Sequence, residues 1–145
     1  MNEHELRRPR NEEEWRAFHA IRRKVLFENR GKGESYIENH PDDSAPGNHP
    51  LLLIYKGQVV GVLRLDVVEA VAWLRRVAIR EDLQRLGHGT VLLRLAEVFA
   101  KAEGCNEMKT NAAVESVGFY ERCGYEQDVA ATSPANSVRM WKRST

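Results

Sequence analysis

Gln84-Arg85-Leu86-Gly87-His88-Gly89 follows an apolar stretch, Trp73 to Ile79, and opens an amphipathic one, Thr90 to Glu103. Strand, glycine-rich turn and helix start form an arrangement that holds an anion. Glycines let the backbone come close to a ligand. The unpaired N–H groups of the first helical turn, with the positive end of the helix dipole behind them, attract negative charge. A connection rich in glycine is also ordinary turn chemistry, so the loop needs support from the rest of the chain.

Known phosphate loops narrow the ligand. A Walker A loop needs G-x-x-x-x-G-K-[ST], and no Lys-Ser or Lys-Thr follows Gly89. The dinucleotide pattern G-x-G-x-x-G is met at Gly87 and Gly89 but broken at Leu92. Upstream, Leu51–Tyr55, Gln58–Val68 and Val71–Ile79 read as strands joined by the short turns Lys56-Gly57 and Glu69-Ala70. Connections this short require antiparallel neighbours, which argues against a nucleotide-binding β-α-β unit.

A short strand is expected over Glu5–Arg8. A helix capped by Asn11 then runs to about Phe27 or Glu28, with Trp15, Phe18, Ile21 and Val25 on its apolar face and Arg16, His19, Arg22 and Arg23 off it. Residues Asn29 to Pro50 are rich in turn formers and read as a long polar loop, with a helical turn near Ser35 to Asn39 and the character of a mobile lid. The helix after Gly89 is expected to bury Val91, Leu92, Leu95, Val98, Phe99 and Ala102 and to turn Arg94, Glu97 and Lys101 to water, ending at Gly104. A short strand over Met108–Asn111, a helix from Glu115 to Cys123 and two last strands, Tyr125–Ala130 and Ser137–Lys142, complete the chain. The reading is a single α/β domain over residues 1–145, with a mixed, mostly antiparallel sheet flanked by helices.

Composition sets outer limits. With 145 residues, 42% hydrophobic and 30% charged, the chain has the make-up of one globular domain. A formal charge of +1 gives no global reason to expect nucleic acid. No apolar run reaches the roughly 18 residues of a membrane span. The polar start, Met1 to Glu5, has no apolar signal region, and Cys105 and Cys123 belong to no C-x-x-C pair. The expectation is a cytoplasmic protein with reduced thiols and no metal site, the residues His40, Asp42, Asp43 and His49 being spread over a loop.

Two motifs in order resemble the GNAT superfamily of N-acetyltransferases. Gln84, Gly87 and Gly89 match every fixed position of that family's [QR]-x-x-G-x-[GA] loop, and Phe119-Tyr120-Glu121-Arg122-Cys123-Gly124-Tyr125 resembles its F-Y-x-x-x-G-[FY]. The resemblance implies acetyl-CoA as co-substrate, a GNAT-like fold, and direct attack by a primary amine, from a small molecule or a peptide, in a ternary complex. Carried over residue by residue, it implies backbone contacts to the pyrophosphate from Gln84, Arg85, Leu86, Gly87, His88, Gly89 and Thr90. It implies contacts to pantetheine from Val77, Ala78 and Ile79, with an oxyanion donor near Arg76 or Val77 and an amide contribution from Asn111. Tyr120 becomes the acid that protonates the leaving thiolate. The strand before the loop carries no acid, so the base is sought at Glu28, Asp66, Glu69 or a water. Ile21 to Glu28 resembles, with altered spacing, a helix end in one subgroup, which puts Glu28 first. Arg75 and Arg76, expected on opposite faces, offer a guanidinium for an anionic group on the acceptor, while Glu28, Glu34, Glu38, Asp42 and Asp43 would attract a cationic amine. A non-catalytic acyl-CoA sensor on the same fold is the alternative, and a homodimer stays open.

Overall fold

The computed structural model describes residues 3–38 and 40–143. The strands are β1 (His4–Arg7), β2 (Asn48–Tyr55), β3 (Gln58–Val68), β4 (Val71–Ile79), β5 (Glu107–Ala113), β6 (Glu126–Gln127) and β7 (Ser137–Arg143). They form one seven-stranded sheet in the order β1-β2-β3-β4-β5-β7-β6. Every neighbouring pair is antiparallel except β4 with β5, as the tight turns between β2, β3 and β4 require. The bounds expected for β3 and β4 agree with those observed. At the tail only Glu126–Gln127 pairs, on the edge beside β7.

Helices cover both faces. α2 (His88–Ala102) and α3 (Val117–Arg122) pack on one face, where Leu51, Leu53, Leu63, Leu65, Leu92, Met108 and Met140 are buried. α1 (Glu12–Arg22) packs on the other through Phe18 and Ile21, against Leu52, Val62 and Ala78. Asn11 caps α1, its Oδ1 accepting from the Glu14 N–H at 2.8 Å. The α2 stripe differs from the expected one. Leu92, Leu93, Ala96 and Ala100 are buried, Val98 is 64% exposed, and Ala102 also faces water. With the helix beginning at His88, Leu92, Leu93, Ala96 and Ala100 form the stripe that meets the sheet, and Val98 and Ala102 turn outward. Glu97 does not face water alone. It accepts from the Tyr125 hydroxyl at 2.9 Å and from Lys142 Nζ at 3.0 Å.

α1 gives way to a widened turn, Arg23–Phe27, and then a tight one, Glu28–Arg30. The Glu28 N–H reaches the carbonyl of Arg23, five residues back, the signature of a π-bulge.

The long loop is stapled down rather than free. It holds tight turns at Gly33–Ser35 and Pro41–Asp43, and Asn39, within the turn expected near Ser35, lies outside the described residues. Tyr36 is buried against His19 and Phe27. Asp43 enters the protein and accepts from Arg22 Nη1 at 2.9 and 3.0 Å and from Arg64 Nη1 at 3.3 Å. Arg22, expected off the apolar face, is 3% exposed, with its guanidinium 4.5 Å from the centre of the Phe18 ring. A helix periodicity cannot show this, because the carboxylate that makes the burial tolerable comes from a distant loop.

Burial alone would raise the pKa of Asp43, but hydrogen bonds from Arg22 and Arg64 overcome it and hold the carboxyl below its ordinary value. With the folded-state value depressed, its stabilising contribution is complete above the unfolded value, about 3.9, and is lost as pH falls through the folded one. Asp43→Ala should destabilise by about 3–5 kcal/mol, since it removes the carboxylate of buried Arg22 and one of the two that hold Arg64. Arg22→Met should cost much less, because Asp43 keeps Arg64. Urea unfolding at neutral pH measures both, and equal costs would contradict the bridging role.

Candidate functional site

Parallel pairing between β4 and β5 runs from Val71 with Glu107 to Leu74 with Thr110 and stops there. Beyond it the strands diverge, and the β4 edge from Arg75 to Ile79 faces β5 without a strand partner. The same region carries a bulge. Val62 pairs with Ala78 and Arg64 with Arg75, so Leu63 alone stands opposite Arg76 and Val77. Arg76 takes φ +55. The extra residue inverts the alternation: Ala72 and Leu74 belong to the α2-side core, and after the bulge so do Val77 and Ile79, while Ala78 faces α1.

A cleft of about 490 Å³ opens at this fork, with Leu74, Arg75, Arg76, Val77, Thr110, Asn111 and Tyr120 among its walls. Thr110 closes the apex, its Oγ1 donating to the Leu74 carbonyl at 3.0 Å. Tyr120 is 6% exposed and lines the same wall as Thr110. Burial pushes the phenol up to about 12, although the Thr110 contact acts the other way. Thr110 was not singled out from the sequence. Its signal was a polar residue at an inward position of an alternating strand. Asn111 lies on the wall, and its Oδ1 accepts from Arg139 Nε at 2.6 Å.

The glycine loop sits at the far end of β4. Gln84 Nε2 donates to the Ile79 carbonyl at 3.1 Å and ties the loop to the strand. Arg85 takes φ +68 and Gly87 φ +92, and Arg85, Leu86 and Thr90 are exposed. No side chain caps the start of α2 and its first turn carries no acid, so the opening N–H groups and the dipole are presented outward. The His88 ring points inward, 3.0 Å from the His4 ring between Nδ1 and Nε2 and beside Tyr55, leaving its backbone as the part that faces the loop. The two glycines act differently. Gly87 supplies the left-handed turn. A β-carbon on Gly89 would lie 3.1 Å from Phe119 Cζ, so Gly89 makes room for the neighbour of Tyr120.

The acidic candidates do not gather at the fork. Glu28 is exposed and outside the cleft wall, although Leu26 and Arg30 on either side of it are part of that wall. Asp66 is on the wall but accepts from Arg64 Nε and Nη2 at 2.7 and 3.0 Å. Glu69 lies in the β3–β4 turn. Asp43 is spent on Arg22 and Arg64, and Glu38 stands 3.8 Å from Arg23. Arg75 and Arg76, expected to diverge, both line the cleft because the bulge breaks the alternation. Among the described residues no group of three or more His, Cys, Asp or Glu side chains could hold a metal, and no helix is long and apolar enough to cross a membrane.

The chain and its fold have counterparts in known proteins. A family model described as the acetyltransferase (GNAT) family matches residues 11–125. A Bacillus subtilis (strain 168) protein provisionally named an acetyltransferase is 30% identical over 106 residues, 72% of this chain and 71% of that one. A crystal structure from Lactobacillus plantarum, provisionally named an N-acetyltransferase, superposes with a TM-score of 0.82 at 24% identity, covering 99% of this chain and 100% of that one. The PaiA N-acetyltransferase of Thermoplasma acidophilum, solved in complex with coenzyme A, superposes with a TM-score of 0.75 at 17% identity, covering 99% of each chain. At these identities the two structures establish the shared fold.

The glycine pair gives a test of the packing. Gly89→Ala should destabilise by about 1–3 kcal/mol through overpacking and alter the near-ultraviolet circular dichroism of the Phe119, Tyr120 and Tyr125 cluster. Gly87→Ala, with open space around its β-carbon, should cost about 1–2 kcal/mol from the left-handed backbone and leave that spectrum unchanged. Identical spectra for both variants and the native protein would contradict the Phe119 contact.

Proposed function

The chain belongs to the GNAT acetyltransferase family and is an acyltransferase; from that premise we propose that it moves the acetyl group of acetyl-CoA to a primary amine by direct attack in a ternary complex. The observation that carries this reading is the fork. It offers an unpaired strand edge, an uncapped helix start at one end of that edge and a buried tyrosine hydroxyl at the other.

Acetyl-CoA supplies a thioester carbonyl, a highly charged pyrophosphate and an arm of amides. Opening N–H groups of α2 and the backbone from Gln84 to Thr90 suit the pyrophosphate. The free β4 edge from Val77 to Ile79 suits the amides as a strand would, and the Asn111 amide borders the same path. At the bulge, the N–H of Arg76 or Val77 has no β3 partner in register and is proposed as the donor to the oxyanion. The amine nitrogen bonds to the carbonyl carbon, the carbon–sulfur bond breaks, and the Tyr120 hydroxyl gives its proton to the departing thiolate. The amine's own proton leaves by the mouth of the cleft, with Glu28 as its proposed acceptor through water, and it restores Tyr120 by way of solvent. The products are an N-acetyl amide and free CoA. A sensor without turnover would have no use for a hydroxyl held at the apex of the fork. The polar exterior of the chain and its unpaired thiols suit the cytoplasm.

Tyr120→Phe should keep acetyl-CoA affinity, measured by calorimetry, and lower turnover about 10- to 1,000-fold, measured as free thiol where chemistry limits the rate. With a value near 12, Tyr120 stays protonated through ordinary assay conditions. The native pH–rate profile should therefore have no descending limb from this group below about pH 11. Unchanged turnover in the variant would remove Tyr120 from the mechanism.

A further inference from the structure

Among the described residues, four guanidiniums line the cleft, Arg30, Arg64, Arg75 and Arg76, against two carboxylates, Asp42 and Asp66. Pairing does not restore the balance. Arg64 and Asp66 satisfy each other through two hydrogen bonds. Asp66 reaches Arg75 only at 3.7 Å, through Nε, beyond hydrogen-bonding distance. Among the described residues Arg76 makes no ion pair.

Both guanidiniums rest on aromatic rings. Arg75 lies 4.7 Å from the centre of Trp73 and Arg76 lies 5.1 Å from the centre of Phe27. A ring beneath a guanidinium orients its plane and leaves its N–H fork for a planar anion. The bulge at Arg76 brings the two forks into one cleft, and the π-bulge in the helix end carries Phe27. Burial lowers the pKa of both groups. For Arg76 the neighbouring Arg22 and Arg64 lower it further; for Arg75, Arg64 and Arg139 offset the attraction of Asp66. The positive charge at this wall is thus undercompensated, and it would repel a simple polycation.

We propose that the acceptor amine carries a carboxylate, held by Arg75 and Arg76, so that the protein acetylates an amino acid or a peptide with an acidic group near its amine rather than a polyamine. This rests on the acetyltransferase reading and extends it to the acceptor. The carboxylate brings the neutralising charge with it, and binding it at the fork aims the amine at the thioester.

Matched amines decide the matter: glycine against glycinamide, β-alanine against its amide, and the dipeptide amides of Asp-Gly and Asn-Gly, with spermidine as the polycation. KM is compared per concentration of neutral amine, from free-thiol release. Binding of the same amines to CoA-saturated protein is measured by calorimetry. The carboxylate member of the pairs should bind about tenfold or more tightly, and Arg75→Gln and Arg76→Gln should each erase that preference; Arg75→Gln, which lies outside the acetyl-CoA contacts, should leave acetyl-CoA affinity intact. Preference for the single amino acids or for Asp-Gly separates a free from a peptide acceptor. Equal or amide-favouring binding, a better response to spermidine, or a preference that survives in both variants overturns the proposal. Absence of acetyl-CoA binding would instead overturn the acetyltransferase reading, and the calorimetric comparison, repeated on the CoA-free protein, still judges the carboxylate on its own.

Discussion

The end of pairing between β4 and β5 after Leu74 and Thr110 is the constraint on which the rest depends. Parallel strands normally share a continuous ladder, and backbone groups left out of one need other partners. Here the break is held in place from both sides. Thr110 bonds the Leu74 carbonyl at the apex, and the bulge at Arg76 bends β4 away while keeping its pairing to β3. Chain topology contributes as well. The connection between the two strands carries α2, whose start lies beyond the open end of β4, so an open edge and a helix dipole belong to the same crossover.

Much of this was legible because it is local. The bounds of β3 and β4 came from apolar runs between short turns, and the glycine loop from two residues whose backbone demands are specific. The failures share a different cause. Arg22 looked like surface charge on a helical wheel, and Asp43 like loop polarity. Their burial is a pairwise fact across 21 residues, and neither half predicts it. The same holds for Arg75 and Arg76, whose expected divergence assumed an unbroken strand. A single inserted residue changes the face of every side chain after it, and nothing in Leu74-Arg75-Arg76-Val77 marks where the insertion falls. Glu28, which stays the proposed acceptor of the amine proton, was chosen by likeness of a helix end, and its distance from the cleft wall was not legible there. The widened turn ahead of it resets the angular position of each residue that follows, which leaves Leu26 and Arg30 on the wall and Glu28 outside it.

Charge in this half of the molecule divides by depth. Asp43 neutralises the two deepest arginines, Arg22 and Arg64, at a cost in desolvation that only good geometry offsets. That closes the long loop onto the sheet and fixes the floor of the cleft. The arginines nearer the mouth have no comparable acid, because Asp66 is occupied by Arg64. Structural and functional charges are therefore coupled through one residue: Arg64 serves Asp43 and Asp66 together, and so decides how much negative charge is left for Arg75.

The two family motifs are also one packed unit. The missing β-carbon of Gly89 makes room for Phe119, the Phe119 ring lies 5.4 Å from that of Tyr120, and Tyr120 lies 5.5 Å from Tyr125. This chain of contacts joins the first turn of α2 to the Tyr120 ring. Close-packed interiors transmit displacements of a few tenths of an ångström rather than absorbing them. The spacing between the loop motif and the F-Y motif is therefore held by packing as well as by chemistry at either end.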